Sequence, residues 1–395
     1  MISKVNKQVI HLIVLLFSTL SLLAQTPVFT ISPTGTMSVC AGAAVNLSST
    51  ITSPFAGTTS YSGGSIPYAP YTLLGGTNVT MTDDFVTGVL PIGFQFCFFG
   101  NTYTQFYIGS NGWIGFTPGQ PIAFTATAIP SVGPFIPRNC IMAPWNDLNP
   151  GFGVGPYVRY QTQGVAPYRR LIVQWTNCPM YQCTATFSTF QIVIFESTNI
   201  IEHHIANKPT CMAWAGGTAT QGLHNLTGTV AVTVPGRNAS VWTAVNDSRR
   251  FLPNGPPNYT VNWTSNGFPL GAGNTMTTTI SSCPASTRII GRVNFQCSNL
   301  ILYDTLDVTC GGTASAAFSI PPIVCATQPA SFTYSGGSAG TGSWTFGSGT
   351  PSTAIGLGTQ SSTWASAGTF PVTLTVTPTS GLCLPGTLTQ NVTIT

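Results

Sequence analysis

Apolar and polar residues alternate with a period of two along most of the chain. The segments "FYIGSNGWIGF" (106–116), "RLIVQW" (170–175), "STFQIVIFES" (188–197), "TVAVTV" (229–234), "YTVNW" (259–263), "RIIGRVNFQC" (288–297) and "TFPVTLTVTPT" (369–379) all show it. That period sends successive side chains to opposite faces of a strand, so each run predicts a strand with one buried face. The runs are short, and clusters of Gly, Pro and Asn separate them at the spacing of β-sandwich strands. No amphipathic helical period occurs beyond the first two dozen residues. The pattern predicts an all-β chain of tandem β-sandwiches. In the aromatic stretch "QFCFFGNTYTQFYIGSNGWIGF" (95–116) it predicts a hairpin with turns at Gly100-Asn101 and at Gly109 to Gly112. Phe94, Phe96, Phe98, Phe106, Ile108, Ile114 and Phe116 then face a core, and Cys97 faces the other way.

Composition narrows the class. Only 5% of the 395 residues are charged, against about 25% in ordinary domains. Ser, Thr, Asn and Gln take over as water-facing residues, and 42 Gly and 30 Pro supply turns. Lys4 and Lys7, the apolar run "VIHLIVLLFSTLSLLA" (9–24) and small Ala24 read as a signal peptide over residues 1–24. The expected location is therefore secreted, with the chain associated with a cell surface and no membrane span in its mature part. Without that segment ten basic residues face eight acidic ones, and no basic run occurs. This argues against nucleic acid or an anionic membrane as partner. All eleven cysteines lie beyond residue 24 in no CxxC pair. Zinc and redox chemistry are therefore not indicated, and structural disulfides are. The odd count leaves at least one thiol free or paired outside the chain.

Two stretches carry resemblances. From 313 to 395, Trp344-Thr345-Phe346-Gly347, the turn Ala367-Gly368-Thr369-Phe370 and alternating Val372, Leu374 and Val376 resemble a PKD domain, a small Ig-like sandwich. Ser348 stands where that family usually has an acid. Cys325 and Cys383, near its ends, are expected to pair. From 60 to 252, "LPIGFQFCFFGNTYTQFYIGSNGWIGF", "IMAPWNDLNP", "VRYQTQGVAPYRRLIVQW", "STFQIVIFESTNIIEHHI", "TQGLHNLTG" and "WTAVNDSRRFLPNG" follow in order. This resembles the nidogen-like β-sandwich of large secreted Bacteroidota proteins, many tied to gliding motility or type IX secretion. The flanks 27–59 and 253–312 resemble the early and late strands of one Ig-like sandwich, split by the nidogen-like insertion. Two unrelated flanking pieces are the alternative. The split sandwich implies a Cys40–Cys297 bridge and a core role for Trp263, with Cys283 competing for either cysteine. Cys97, facing away from the core, is expected to pair with Cys140.

Candidate chemistry is sparse. His203 and His204 are adjacent in a strand and point to opposite faces, which fits one packed and one solvated ring rather than a metal pair. Glu196 and Glu202 share a hairpin, the spacing of a solvated hairpin as much as of a glycosidase pair. No GxSxG or HExxH motif occurs. The oxygen-rich loops "TMTDDF" and "PWNDLNP" place Asp83, Asp84 and Asp147 as candidate ligands of a structural calcium ion. No other cofactor is expected. Arg169-Arg170 and Arg249-Arg250 each send one guanidinium inward, where Asp147, Glu196 or Asp247 can pair with it. Trp145, Trp214 and Trp242, with Tyr68 and Tyr71, lie among Gly, Pro and Asn and are candidates for stacking on sugars. The reading that unites these features is a non-enzymatic extracellular structural or adhesive protein, an adhesin or filament subunit. Its partners would be its own copies or surface components. A carbohydrate-binding module of a larger secreted protein is the alternative.

Overall fold

A computed structural model describes residues 27–52, 54–155, 157–280, 286–298, 300–379 and 383–395. The expected signal peptide and Cys283 lie outside the described residues. The fold is all-β. Among the described residues the only helical element is a 3₁₀ turn at Ala215–Gly217. The chain divides into two compact units. One holds Pro54–Tyr259 with Phe295–Leu300, the other Pro27–Ser53, Thr260–Asn294 and Ile301–Thr395.

The first unit is a sandwich of two large sheets. One runs in the order Gly57–Ile66, Ala244–Gly255, Ile201–Lys208, Cys183–Phe195, Arg170–Met180, Val158–Gln163, Thr77–Val79. The other runs Ala231–Thr233, Thr218–His224, Cys140–Trp145, Trp113–Gly115, Asn101–Gly109, Leu90–Phe98, with Ser240–Val241 also pairing Thr218–His224. All seven aromatic-hairpin residues expected to face inward are buried in one cluster with Leu171, Val173, Trp175, Phe190 and Ile192 of the opposite sheet. Burying each such side chain contributes about 1.5–3 kcal/mol. The hairpin turn sits at Phe99-Gly100, one residue earlier than the sequence suggests. Both residues have positive φ, 45° and 79°, as a two-residue hairpin turn requires. At the next turn, a Cβ on Gly112 would lie 2.0 Å from the Pro144 carbonyl oxygen, so no larger residue fits.

Alternation sends the intervening residues Gln174, Gln191, Glu202 and His204 to the far face of the first sheet. That face does not meet bulk water everywhere. Residues 67–76 cross it as an extended strap, held by glutamine side chains. Gln191 Nε2 donates to Tyr71 O (2.6 Å), and Tyr71 N donates back to Gln191 Oε1 (3.0 Å). Gln163 Nε2 donates to Thr72 O (2.9 Å), and Leu74 N donates to Gln161 Oε1 (3.0 Å).

In the second unit, the sheet Val28–Ser32, Ala44–Thr52, Thr275–Thr279 faces the sheet Phe268–Ala272, Tyr259–Ser265, Thr287–Phe295, Ile301–Cys310, Gly35–Val39. A Cβ on Gly291 would lie 2.7 Å from Ile31 and 3.1 Å from Trp263, so glycine lets the two layers close. Trp263 is buried there and donates to Gly273 O (2.8 Å). The C-terminal strands from Phe318 to Ile394 form a further pair of sheets around Phe332, Trp344, Phe346, Trp364, Val372, Leu374 and Val376.

The disulfides differ from all three expected pairs. Among the described residues the bridges are Cys40–Cys383, Cys97–Cys297 and Cys183–Cys211, with Cys140, Cys178 and Cys325 free. Cys97–Cys140 fails because two strands lie between the strands that carry them. Three strand spacings amount to about 14 Å, twice the reach of a bridge. Asn199 brackets the real pair, accepting from Cys97 N (2.8 Å) and donating to Cys297 O (2.9 Å). That engages Cys297 and rules out Cys40–Cys297. Cys325–Cys383 fails because Leu384 N donates to Gly312 O while Gly311 N donates to Val39 O. These bonds bring Cys383 to Cys40 and leave Cys325 exposed.

Candidate functional site

Two features of the first unit combine buried polar groups with concave surface. In the first, Asp83, Asp84 and Asp147 each present a carboxylate oxygen within 4.8 Å of the others. The turn Ser110-Asn111-Gly112 assembles them. Phe85 N donates to Ser110 Oγ (2.9 Å), and Asn111 Nδ2 donates to Asp84 Oδ1 (2.9 Å). Asn111 Oδ1 accepts from Leu148 N (2.8 Å), which fixes the loop carrying Asp147. The same loop reaches the opposite sheet, where Asn149 N donates to Pro179 O (2.8 Å) and Tyr181 N to Asp147 O (3.2 Å).

The cluster is incompletely satisfied from within. Asp83 Oδ1, Asp147 Oδ1 and both polar atoms of the Asn146 side chain are buried without a hydrogen-bond partner. Asp147 is 8% exposed and Asn146 3%. Burial, then Asp84 and Asp83, push the Asp147 carboxyl up to about 8, with the Trp214 side chain working the other way. Burial and Asp84 raise Asp83. The buried Cys178 thiol is pushed up by burial and then by Asp83, so it stays protonated. Carboxylate and amide oxygens without a thiolate or an imidazole suit a hard cation.

The second feature is the strapped face. A groove of about 650 Å³ runs beside the strap, lined by Tyr68, Tyr71, Tyr157, Gln174, Asn177 and Gln191 among others. Tyr71 anchors it. Arg170 lies over its ring at 4.3 Å, His204 meets it edge-on at 5.6 Å, and its hydroxyl donates to Glu202 Oε2 (3.4 Å). Burial alone would raise Glu202, but hydrogen bonds from His204 and Arg250 outweigh it and hold the carboxyl below its usual range. Burial, then Glu202, push the Tyr71 hydroxyl up to about 12, so it is a neutral donor.

The other sequence candidates take different places. Trp145 is not a loop aromatic. It is fully buried at the end of a central strand and donates to Ala123 O (3.0 Å). Trp242 is also buried, with Lys208 and Arg237 over its ring at 4.6 and 4.5 Å. Its surroundings are two side-chain cations rather than open surface. Trp214 is partly buried and lines a cleft with Asn146, Asp147 and Met180. Both histidines are buried, where one was expected in solvent. The paired arginines do find carboxylates: Arg169 with Glu196 (2.6 Å), Arg250 with Glu202 (2.6 Å) and Arg249 with Asp247 (3.1 Å). Asp147 is not among these partners. Sequence reasoning passed over Asn111 and Asn146, whose signal was an Asn inside each of the motifs "GSNGW" and "PWNDLNP". It also passed over Tyr157 and Gln191 of the groove.

Comparison with known proteins places the chain among sandwich families. A family model described as "NIDO related" matches residues 60–265, and a "PKD domain" model matches 313–383. No curated protein matches the chain. Two solved structures overlap it along its length. "Structural basis for Dscam isoform specificity" is 11% identical over 94% of this chain and 100% of that one, with a TM-score of 0.16. "Crystal structure of Dscam1 isoform 6.9, N-terminal four Ig domains" is 11% identical over 93% and 99%, also at 0.16. At those TM-scores the overlap supports no statement about this chain.

Proposed function

The chain belongs to the NIDO-related family, and from that premise we propose that it is an extracellular, non-enzymatic structural or adhesive protein of the Bacteroidota surface type. The observation that carries this reading is how the chain uses its eight acidic side chains. Glu196, Glu202, Asp247 and Asp307 are ion-paired across or along strands. Asp304 accepts the Ile31 backbone N–H (2.9 Å) and so joins two strands. Asp84 accepts from Asn111 Nδ2 (2.9 Å) and so joins its loop to the turn at 110–112. Charge here serves the framework, and disulfides join segments far apart in sequence, as in chains that mature under oxidising conditions. A PKD module fits the same setting. No helix of the described residues is long and apolar enough to cross a membrane.

The test is adhesion and self-association of the purified mature chain. Beads coated with it are expected to stick to one another or to cells in a saturable way, and sedimentation is expected to show ordered assembly. A strictly monomeric chain whose beads bind nothing would count decisively against the reading. The groove supports a second reading, a glycan-binding face, because tyrosine rings and side-chain amides together match the apolar faces and hydroxyls of a sugar. Glycan-array binding lost in both Tyr68→Ala and Tyr157→Ala would favour it over protein-mediated adhesion.

A further inference from the structure

We propose that Asp83, Asp84 and Asp147, with the neighbouring Asn146 side chain, form a calcium site that clamps the connection 80–86 to the loop 146–152. Three carboxyl groups with oxygens within 4.8 Å of one another can all be ionised together only if a cation lies between them. Among the described residues no Lys, Arg or His is ion-paired with any of the three; the ion pairs go to Glu196, Glu202, Asp247 and Asp307. Independently of the charges, Asp83 Oδ1, Asp147 Oδ1 and the Asn146 Oδ1 are buried oxygens with no donor. Asn146 and Asp147 line one cleft, and both are more than nine-tenths buried. Buried acceptors normally find a partner, and an ion is one that satisfies several at once.

The donor chemistry selects calcium. Calcium takes six to eight oxygens in irregular geometry, from carboxylates, amide carbonyls and water. Magnesium demands a near-ideal octahedron and gives up its waters reluctantly, which a site drawn from two loops and a turn does not impose. Zinc prefers imidazole and thiolate, and the cluster contains only carboxylates. A dissociation constant on the order of 10⁻⁴–10⁻³ M is expected, the range of extracellular calcium modules. The framework for it is already built: Asn111 holds Asp84 and the Leu148 N–H from one side chain.

The test uses the full mature chain, stripped with EDTA and titrated with CaCl₂, MgCl₂ or TbCl₃. Calcium is expected to raise Tm by several degrees, and magnesium to do so far less. Terbium emission excited through tryptophan is expected, because Trp214 lines the same cleft as Asp147, and calcium should displace it. Asp147→Asn is expected to abolish both responses while melting higher than the parent in EDTA, because a carboxyl no longer has to be buried without a partner. Asp84→Asn, at a partly exposed position, should weaken both responses in a chain that circular dichroism shows to be folded. The proposal is overturned if Tm is the same in calcium and EDTA. It is overturned equally if magnesium matches calcium, or if both variants respond like the parent.

Discussion

His203 and His204 are one position apart and meet opposite environments. His204 turns to the strapped face, where Glu202 Oε2 (3.0 Å) and Ser248 Oγ (2.7 Å) take up both ring nitrogens. His203 turns into the sandwich, where Gln221 Nε2 donates to its Nδ1 (3.2 Å) and the Phe251 ring lies 4.9 Å away. Its Nε2 has no partner. Burial, then His204 and Arg237, push His203 down to about 3, whereas an unfolded chain titrates near 6.5 (about). As pH falls below that value the unfolded chain gains a proton that the folded one refuses. Stability from this residue is therefore complete above about 6.5 and is lost progressively toward pH 3. Glu202 adds its own loss only below about 4.5, but two other groups act between about 6.5 and 5: His224, also lowered by burial, loses stability there, and Asp147, raised to about 8, gains it as pH falls. Comparing the parent with His203→Gln cancels those shared contributions, so the Tm difference between them should move in the variant's favour as pH falls from about 6.5 to 5. A Tm difference between the two chains that does not change from pH 6.5 to 5 would mean that His203 is not held neutral.

At the scale of elements, the strap at 67–76 is a strand-like segment whose ladder is made by side chains. Gln191 exchanges two hydrogen bonds with Tyr71 and is itself aligned by Gln174 (2.7 Å). Each such bond is worth about 1 kcal/mol net, so Gln191→Ala should loosen the strap by about 2 kcal/mol without unfolding the sheet beneath. Hydrogen exchange is the direct measurement. The amides of Tyr71 and Leu74 should lose protection, while those of Leu171, Val173 and Trp175 keep theirs. The sheet below was legible because its strands carry a clean period of two. The strap was not, because Pro67 and Pro70 break any period and its partners are glutamines that alternation assigns to water. Trp145 was misread for a related reason. Its neighbours Asn146, Asp147 and Pro150 look like a loop, but the strand before it is central and every residue of Cys140–Trp145 is buried. The acidic site was half legible: its three carboxylates stand in two oxygen-rich loops, while the turn that joins those loops reads only as a hairpin of the core.

For the whole molecule, what the sequence hides is which distant segments meet. Strand runs and inward faces depend on neighbours two residues apart, and they could be read off directly. The disulfides depend on contacts 343 and 200 residues apart, set by single side chains such as Asn199 and by backbone bonds around Gly311 and Gly312. No local pattern encodes those meetings. Closing such loops removes freedom chiefly from the unfolded chain, and the benefit grows only slowly with loop length. The Cys97–Cys297 bridge is nested inside the Cys40–Cys383 loop, so the inner bridge shortens the outer one and the two contributions are not additive. Each should be worth about 2–5 kcal/mol. They also lie in different compact units, the inner pair in the large sandwich and the outer pair in the other. Calorimetry of Cys97→Ser with Cys297→Ser should therefore depress the transition of the large sandwich, and Cys40→Ser with Cys383→Ser the other transition. Native alkylation checks the assignment independently. Cys325 is exposed while Cys140 and Cys178 are buried with their thiols pushed up, so Cys325 should label first and the other two only on unfolding. Rapid native labelling of Cys140, or protection of Cys325 that disappears on reduction, would mean that a different set of segments meets in the folded chain.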